Sequence, residues 1–154
     1  MEIISVSPAE PEVQRLIAEL DTYQIKLYGQ ECCHLDSADE LVDSGAHMLG
    51  AYVDEILVGI GAIKLRGSYA EIKRVYFIEE YRGRGFALEL VRQLELFASD
   101  NKCPRIKLET GYLQGAAMQF YTKLGYVECL AFGEYSDNGI SVFMEKPLFG
   151  LVEI

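Results

Sequence analysis

The feature that most limits the fold is a strand, a glycine turn and a helix that follow one another without interruption. Residues 71–78 (EIKRVYFI) have the β-branched and aromatic composition of a strand. The turn that follows carries Gly83 and Gly85, which are separated by one residue. Residues 84–99 then place apolar side chains at the spacing of a helix with one buried face. This succession predicts a helix that packs back against a sheet.

The glycine turn has the properties of an anion-binding site. Glycine tolerates positive φ, so successive N–H groups can point into one concavity. The helix start adds its own unpaired N–H groups and the positive end of its dipole. Arg82 and Arg84 stand on either side of Gly83 and bring two positive charges. We predict a polyphosphate ligand here, although a tight strand-to-helix turn would use the same glycines without any ligand.

Two common nucleotide-binding motifs do not fit this turn. A Walker loop requires a Gly-Lys-Ser/Thr sequence, which does not follow. The dinucleotide fingerprint G-x-G-x-x-G/A fails at its third position, where Leu88 stands. The strands before the turn are also predicted to run antiparallel, whereas that fingerprint opens a β-α-β unit. The glycine pair alone therefore does not identify the ligand.

The remainder of the chain predicts a mixed order of strands and helices. Residues 7–10 (SPAE) resemble a helix start with a serine cap, and the tight turn at 54–55 predicts a hairpin. In chain order we predict strand 2–7, a helix to about 28, a short helix 37–43, strands 47–54, 56–66 and 71–78, helix 84–99, strand 105–110, helix 115–124, and strands 126–132 and 140–148. The predicted fold is an α/β (α+β) domain with one mixed, mostly antiparallel sheet and helices on both faces.

Composition and charge exclude several classes of function. The 154 residues are enough for one domain with a substantial core. Residues 1–55 hold twelve acidic and two basic side chains (2 − 12 = −10), so they carry the whole net charge of −10. An acidic chain does not suit nucleic acid, whose backbone requires a basic face. The acidic third suits a cationic partner, although solvated helix faces would have the same composition.

Neither a membrane segment nor a metal site is expected. No apolar run approaches the roughly 20 residues that span a bilayer, and the first residues lack the basic start of a secretory signal. We therefore expect a cytoplasmic protein. Cys32, Cys33, His34 and Asp36 lie close together, but His47 is the only other histidine and no C-x-x-C spacing occurs. Reduced, mostly buried thiols are the simpler interpretation.

Two motifs at a characteristic distance carry a family resemblance. The turn satisfies R/Q-x-x-G-x-G/A, and the downstream segment LETGYLQGAAMQFYTKLGYVE combines a strand tip, an Ala-rich helix and Y-x-x-x-G-[F/Y]. Over roughly residues 45–128 the chain resembles the GNAT superfamily of acetyl-CoA-dependent N-acetyltransferases. The matching residues are Arg82, Gly85 and Ala87 in the first motif and Tyr121, Gly125 and Tyr126 in the second.

The resemblance implies that acetyl-CoA is the polyphosphate ligand and that no metal is needed. Its phosphates would lie on the glycine turn, and its pantetheine arm would lie between two splayed central strands. Many members carry an asparagine seven residues before the tyrosine, where this chain has Gln114. The implied binding residues are the backbone of Val75, Tyr76 and Phe77, then Arg82, Gly83, Arg84, Gly85, Phe86 and Ala87, and finally Gln114 and Tyr121.

The resemblance also implies catalytic roles. Tyr121 would protonate the departing thiolate of coenzyme A, and a bulge in the preceding strand would aim an N–H at the thioester oxygen. We expect direct transfer without a covalent enzyme intermediate. Cys103 and Cys129 could be considered as acyl carriers, but Cys103 stands before Pro104 with no histidine nearby in sequence and is interpreted as structural.

The general base is less closely specified. Glu71 lies eleven residues before Arg82, the offset of the base in the histone-type members of the superfamily. The alternatives are a structural glutamate paired to Lys73 or Arg105, or deprotonation through a chain of waters. Glu109, at the tip of the next strand, is the reserve candidate.

The expected function is acetyl transfer to a primary amine by a single domain, residues 1–154. Residues 1–55 would form the acceptor side, 56–128 the acetyl-CoA-binding core and 129–148 the C-terminal strands. The charge of the first third favours a cationic small molecule as acceptor. Tyr23, Tyr28 and Tyr52 could line its pocket, although packing in the core is the simpler role for each. The alternatives are a non-catalytic acyl-CoA sensor, a protein-lysine or N-terminal acetyltransferase, and a homodimer formed through residues 140–154.

Overall fold

The computed structural model describes residues 1–29 and 37–148. Strands and helices occur close to where the sequence predicts them. In chain order they are β1 (Glu2–Ser5), α1 (Pro11–Tyr28), α2 (Ala38–Asp43), β2 (His47–Val53), β3 (Ile56–Leu65), β4 (Ala70–Phe77), α3 (Phe86–Asp100), β5 (Arg105–Gly111), α4 (Gly115–Lys123), β6 (Val127–Cys129) and β7 (Ser141–Pro147).

The strands within the described ranges form one seven-stranded sheet in the order β1-β2-β3-β4-β5-β7-β6. The pair β4–β5 is parallel, and the other five pairings are antiparallel. This confirms the predicted mixed sheet. β7 lies between β5 and β6, so it is an interior strand and cannot also be the edge strand of a dimer. Residues 149–154 lie outside the described part of the chain.

The first hairpin follows from its turn residues. Asp54 and Glu55 both adopt positive φ, at 50° and 68°, as the central residues of a type I′ turn do. This turn matches the right-handed twist of β2 and β3, and the two strands pair from His47 opposite Ile63 to Val53 opposite Ile56.

Helices cover both faces of the sheet because successive strand side chains point to opposite sides. Met48 joins a core cluster with α1, and its neighbour Leu49 joins a second cluster with α3. The α1 cluster comprises Val13, Leu16, Ile17, Leu41, Met48, Leu57, Ile60 and Ala62. The larger cluster includes the α3 residues Leu90, Val91, Leu94 and Ala98, together with Tyr121 and Tyr126.

The start of α1 differs from the predicted one. Ser7 does not cap a helix; its Oγ accepts a hydrogen bond from the N–H of Ala9 at 3.1 Å and closes a turn. The helix begins one turn later with Pro11 as its first residue. A helix could begin at Pro8, after Ser7, or at Pro11, after Glu10, because proline suits the first helical position. The buried face that starts at Val13 selects the second proline.

The two central strands separate after a short parallel contact. β4 and β5 pair from Ala70 with Ile106 to Ile72 with Leu108 and no further. Beyond these pairs β4 runs on to Phe77 and β5 to Gly111. The edge of β4 that faces β5 therefore carries main-chain groups with no strand partner, and a cleft opens there.

Candidate active site

The glycine turn has the geometry that its sequence predicts. Gly83 and Gly85 adopt φ of 76° and 83°, and Gly85 immediately precedes the first residue of α3, Phe86. No side chain caps this helix start. A Cβ built on either glycine would meet no atom within 4 Å. The glycines are thus required by the left-handed backbone, and the open helix start presents unpaired N–H groups.

The two arginines of the turn differ in their contacts. Arg82 donates from Nε to the carbonyl of Phe77 at 2.7 Å and lies over the Tyr76 ring at 5.4 Å. It therefore ties the end of β4 to the turn. Arg84 lies over the Tyr81 ring at 5.0 Å. Both arginines are exposed, so their positive charges remain available to an anion at the helix start.

The cleft between the separated strands has a volume of about 120 Å³. Its walls come from both faces of the sheet and from both neighbouring helices. The lining residues are Leu20, Gln24 and Tyr28 of α1; Ile72, Lys73, Arg74 and Val75 of β4; Leu108, Glu109, Thr110 and Gly111 of β5; Gln114, Ala117 and Tyr121 at α4; and Ile140 and Ser141 at the start of β7.

A β-bulge lies where β4 leaves β5. Arg74 and Val75 together oppose the single residue Gly61 of β3, and Arg74 adopts φ of 60°. An arginine in this region costs about 1–3 kcal/mol and persists only where surrounding contacts hold it. The Arg74 side chain is 3% exposed; it donates to the carbonyl of Ile17 at 3.0 Å and forms an ion pair with Asp21. These contacts tie α1 to the bulge.

Two buried polar atoms of cleft-lining residues have no hydrogen-bond partner within residues 1–29 and 37–148. They are Nε of Arg74 and Oγ1 of Thr110, each two residues beyond the last β4–β5 pair. A buried group without a hydrogen bond costs about 1–3 kcal/mol. The sequence could not identify either atom, because burial and the lack of a partner depend on how the strands and helices pack.

Tyr121 reaches the cleft from α4 and is 7% exposed. Its ring packs edge-on against Tyr126 at 5.5 Å, and its hydroxyl has no hydrogen-bond partner among the described residues. Burial, and secondarily the charge of Glu95, raise the pKa of Tyr121 well above its ordinary value. The phenol therefore stays protonated at neutral pH and can donate a proton.

A buried ionic cluster lies behind Tyr121. Glu95 of α3 accepts a hydrogen bond from the Tyr126 hydroxyl at 2.9 Å and pairs with Lys146 of β7 at 3.1 Å. The cluster joins α3, the segment between α4 and β6, and β7. Because Tyr121 packs on Tyr126, these contacts also hold the Tyr121 ring in place.

Of the two carboxylates predicted as the base, only Glu109 lines the cleft. Glu71 is 1% exposed; it accepts a hydrogen bond from Tyr135 at 2.6 Å and pairs with Lys73 at 3.5 Å. The pairing to Lys73 is the structural alternative that the sequence left open. Glu109 accepts a hydrogen bond from the Ser141 hydroxyl.

Within the described residues 1–29 and 37–55, no acidic side chain lines the cleft. The three α1 residues that line it, Leu20, Gln24 and Tyr28, are uncharged, and Asp21 is paired with Arg74. Of the three tyrosines that the sequence suggested for this pocket, Tyr28 lines the cleft, Tyr23 is 42% exposed, and Tyr52 packs against the α1 cluster.

No cluster that could hold a metal ion occurs in residues 1–29 and 37–148. Cys32, Cys33, His34 and Asp36 lie outside those ranges. Cys103 is buried and Cys129 half-buried, both as free thiols, and burial raises the pKa of each thiol. No helix in the described part of the chain is both long and apolar enough to cross a bilayer.

The comparison with known proteins agrees with this geometry. The sequence profile of the acetyltransferase (GNAT) family matches residues 13–126. The chain belongs to the GNAT family. A match of this extent includes the glycine turn, the separated strands and the Tyr121 helix. As a member, this GNAT protein is an acyltransferase that uses acetyl-CoA.

Similar proteins match nearly the full length of this GNAT enzyme. The IAA acetyltransferase of Azospirillum brasilense is 35% identical over 144 residues, which cover 92% of this chain and 94% of that protein. A Klebsiella pneumoniae structure assigned as an acyl-CoA N-acyltransferase superposes with a TM-score of 0.81 at 35% identity, covering 96% of this chain and 97% of that one.

A more distant structure shares the fold alone. The Paia N-acetyltransferase of Thermoplasma acidophilum, solved in complex with coenzyme A, has a TM-score of 0.76 at 19% identity. The match covers 95% of this chain and 98% of that one.

Proposed function

We propose that this GNAT enzyme moves an acetyl group from acetyl-CoA directly to the primary amine of a small molecule. The observation that carries the proposal is the unpaired edge of β4, which opens onto a cleft with Tyr121 at one wall and Glu109 at another. An edge of this kind can pair with an extended amide chain, and pantetheine is one. The main chain of Val75, Tyr76 and Phe77 supplies the edge.

The phosphates of acetyl-CoA bind at the glycine turn. The N–H groups of Gly83, Gly85, Phe86 and Ala87 belong to the turn or the first turn of α3, where anions are favoured. The exposed guanidinium groups of Arg82 and Arg84 add two positive charges to the positive end of the α3 dipole. The distance from the turn to the cleft is spanned by the pantetheine arm along β4.

In the chemical step the amine nitrogen attacks the thioester carbonyl carbon, and the bond from that carbon to sulfur breaks. The bulge at Arg74 and Val75 turns a main-chain N–H toward the oxygen that becomes negative. Tyr121 gives its proton to the departing thiolate and recovers one from solvent. Only a neutral amine can attack, so an acceptor that arrives as an ammonium ion first gives one proton to a carboxylate, which passes it to solvent. The surplus proton that remains on the nitrogen after the attack leaves by the same route.

Two carboxylates compete for this last role. Glu71 is the residue that the family resemblance implies, and it remains a prediction. Glu109 is better supported by position, because it lines the cleft and its neighbour Ser141 can orient it. We expect Glu109→Gln to abolish the acidic limb of the pH–rate profile, whereas Glu71→Gln keeps that limb. The reverse result would assign the base to Glu71.

The acceptor is proposed to arrive as a cationic ammonium ion. The net charge of −10 in residues 1–55 attracts cations over several ångströms, and Glu109 supplies the contact in the cleft. We expect amines with an additional positive charge to have a higher kcat/KM than neutral analogues, and added salt to reduce the difference. Turnover of neutral or anionic amines only would contradict this proposal.

The function is tested by release of free thiol from acetyl-CoA in the presence of a panel of primary amines. Tyr121→Phe should lower kcat about 100-fold or more while coenzyme A binding changes little. Tyr23→Phe, an exposed tyrosine of α1, is the matched control. A Tyr121→Phe enzyme with full activity would remove the acid role. Acetyl-CoA binding without thiol release for any amine would indicate a sensor instead.

A further inference from the structure

The hydroxyl of Tyr28 joins three parts of the cleft. It donates a hydrogen bond to Oε1 of Gln114 at 3.2 Å and accepts one from the N–H of Leu113 at 3.1 Å. Tyr28 is the last residue of α1, and Gln114 immediately precedes α4. The two helices are thereby linked across the tip of β5.

Tyr28 packs against the tip of β5 at a position that has no side chain, Gly111. A Cβ on Gly111 would collide with the Tyr28 hydroxyl and ring. Gly111 has no positive φ, so its backbone conformation does not require glycine. The close approach of Tyr28 is therefore the reason for a residue without a side chain here.

The hydrogen bond determines which end of the Gln114 amide is available. A glutamine side chain has an oxygen that accepts and a nitrogen that donates two hydrogen bonds. With Oε1 bonded to Tyr28, the amide is held with its nitrogen as the end that remains for a ligand. Among the described residues, no group accepts from this nitrogen. Tyr28 and Gln114 both line the cleft.

We propose that Tyr28 is a positioning residue that fixes the Gln114 amide so that its N–H groups donate to a carbonyl oxygen of the pantetheine arm. The proposal rests on the proposed function, since it needs acetyl-CoA in the cleft. Pantetheine carries amide carbonyls, which are the acceptors that an N–H group requires. Gln114 is one carbon longer than the asparagine of many family members, and its amide oxygen lies 3.2 Å from the Tyr28 hydroxyl.

Free coenzyme A, titrated calorimetrically into wild type and variants, tests the proposal. Tyr28→Phe keeps the ring and removes only the hydroxyl, so we expect thermal stability near wild type and a Kd raised about 2- to 12-fold, the equivalent of one ordinary hydrogen bond. Gln114→Ala should raise the Kd by a similar factor. If Tyr28 affects the ligand through that amide, the double variant should bind no more weakly than Gln114→Ala.

Three further variants separate the donor role from shape. Gln114→Glu keeps an oxygen for Tyr28 but loses the N–H donors, so binding should fall as in Gln114→Ala. Gly111→Ala should weaken binding by displacing Tyr28. Tyr23→Phe, on the same helix, should bind like wild type.

The outcomes distinguish this proposal from the proposed function. A wild-type protein that takes up no coenzyme A refutes both. A wild type that binds while Tyr28→Phe binds equally well refutes the role of Tyr28 alone. Additive losses in the double variant would show that Tyr28 acts independently of Gln114, and they too would overturn the proposal.

Discussion

Replacing Gly85 by alanine tests the link between the backbone of the glycine turn and coenzyme A binding. Gly85 has φ of 83° and ψ of 2°, and a Cβ there meets no atom within 4 Å. The substitution therefore causes no collision, and its cost is that of a left-handed alanine, about 1–2 kcal/mol.

That cost lowers either the free energy of unfolding or the affinity for coenzyme A, and both can be measured. If the free variant keeps the left-handed turn, its free energy of unfolding falls by about 1–2 kcal/mol, which lowers Tm by about 2–8 °C. If the turn relaxes, stability is kept, but ligand binding must restore the turn. The Kd for coenzyme A then rises about 5- to 30-fold. The two losses should sum to about 1–2 kcal/mol.

Thermal melting and calorimetry on the same samples provide both numbers. Gly115→Ala is the matched control, because Gly115 begins α4, has no positive φ and has open space around its Cβ position. That variant should be as stable as wild type or more stable by about 0.4–1 kcal/mol. A Gly85→Ala protein that melts and binds like wild type would refute the reasoning that the left-handed turn organises the site.

Three other predictions concern residues around the cleft. Tyr126→Phe removes a buried hydrogen bond to the charged Glu95 and should cost about 1.5–3 kcal/mol, measured by urea unfolding; an unchanged midpoint would contradict the cluster. Thr110→Val should leave the Tm of the free protein at or above that of wild type, because no described residue forms a hydrogen bond with Oγ1; a clear drop in Tm would show that the hydroxyl is bonded. Burial lowers the pKa of His47, which stacks on Phe97 at 3.9 Å. The unfolded state therefore binds this proton more readily, and stability should fall as pH drops below about 6.5. His47→Phe should remove that component of the pH dependence, and an unaltered profile would argue against it.

The sequence alone was sufficient to predict the structural features that depend on residues close together in the chain. The positive φ of Gly83 and Gly85, the turn at Asp54 and Glu55, and the amphipathic face of α3 all follow from backbone preferences and from spacing within a few residues. The order of such elements was enough to predict the mixed sheet. The start of α1 was missed by one turn because two proline sites have similar local signals.

The tertiary structure decided which side chains meet at the site. Tyr28 and Gln114 are 86 residues apart, and Tyr135 and Glu71 are 64 apart. No local pattern predicts such contacts, because they depend on how strands and helices pack. The same packing buries Glu71 and leaves Glu109 in the cleft. Local preferences thus determine the secondary structure and the left-handed glycine turn of this chain, whereas the separation of β4 from β5 determines which side chains line the cleft.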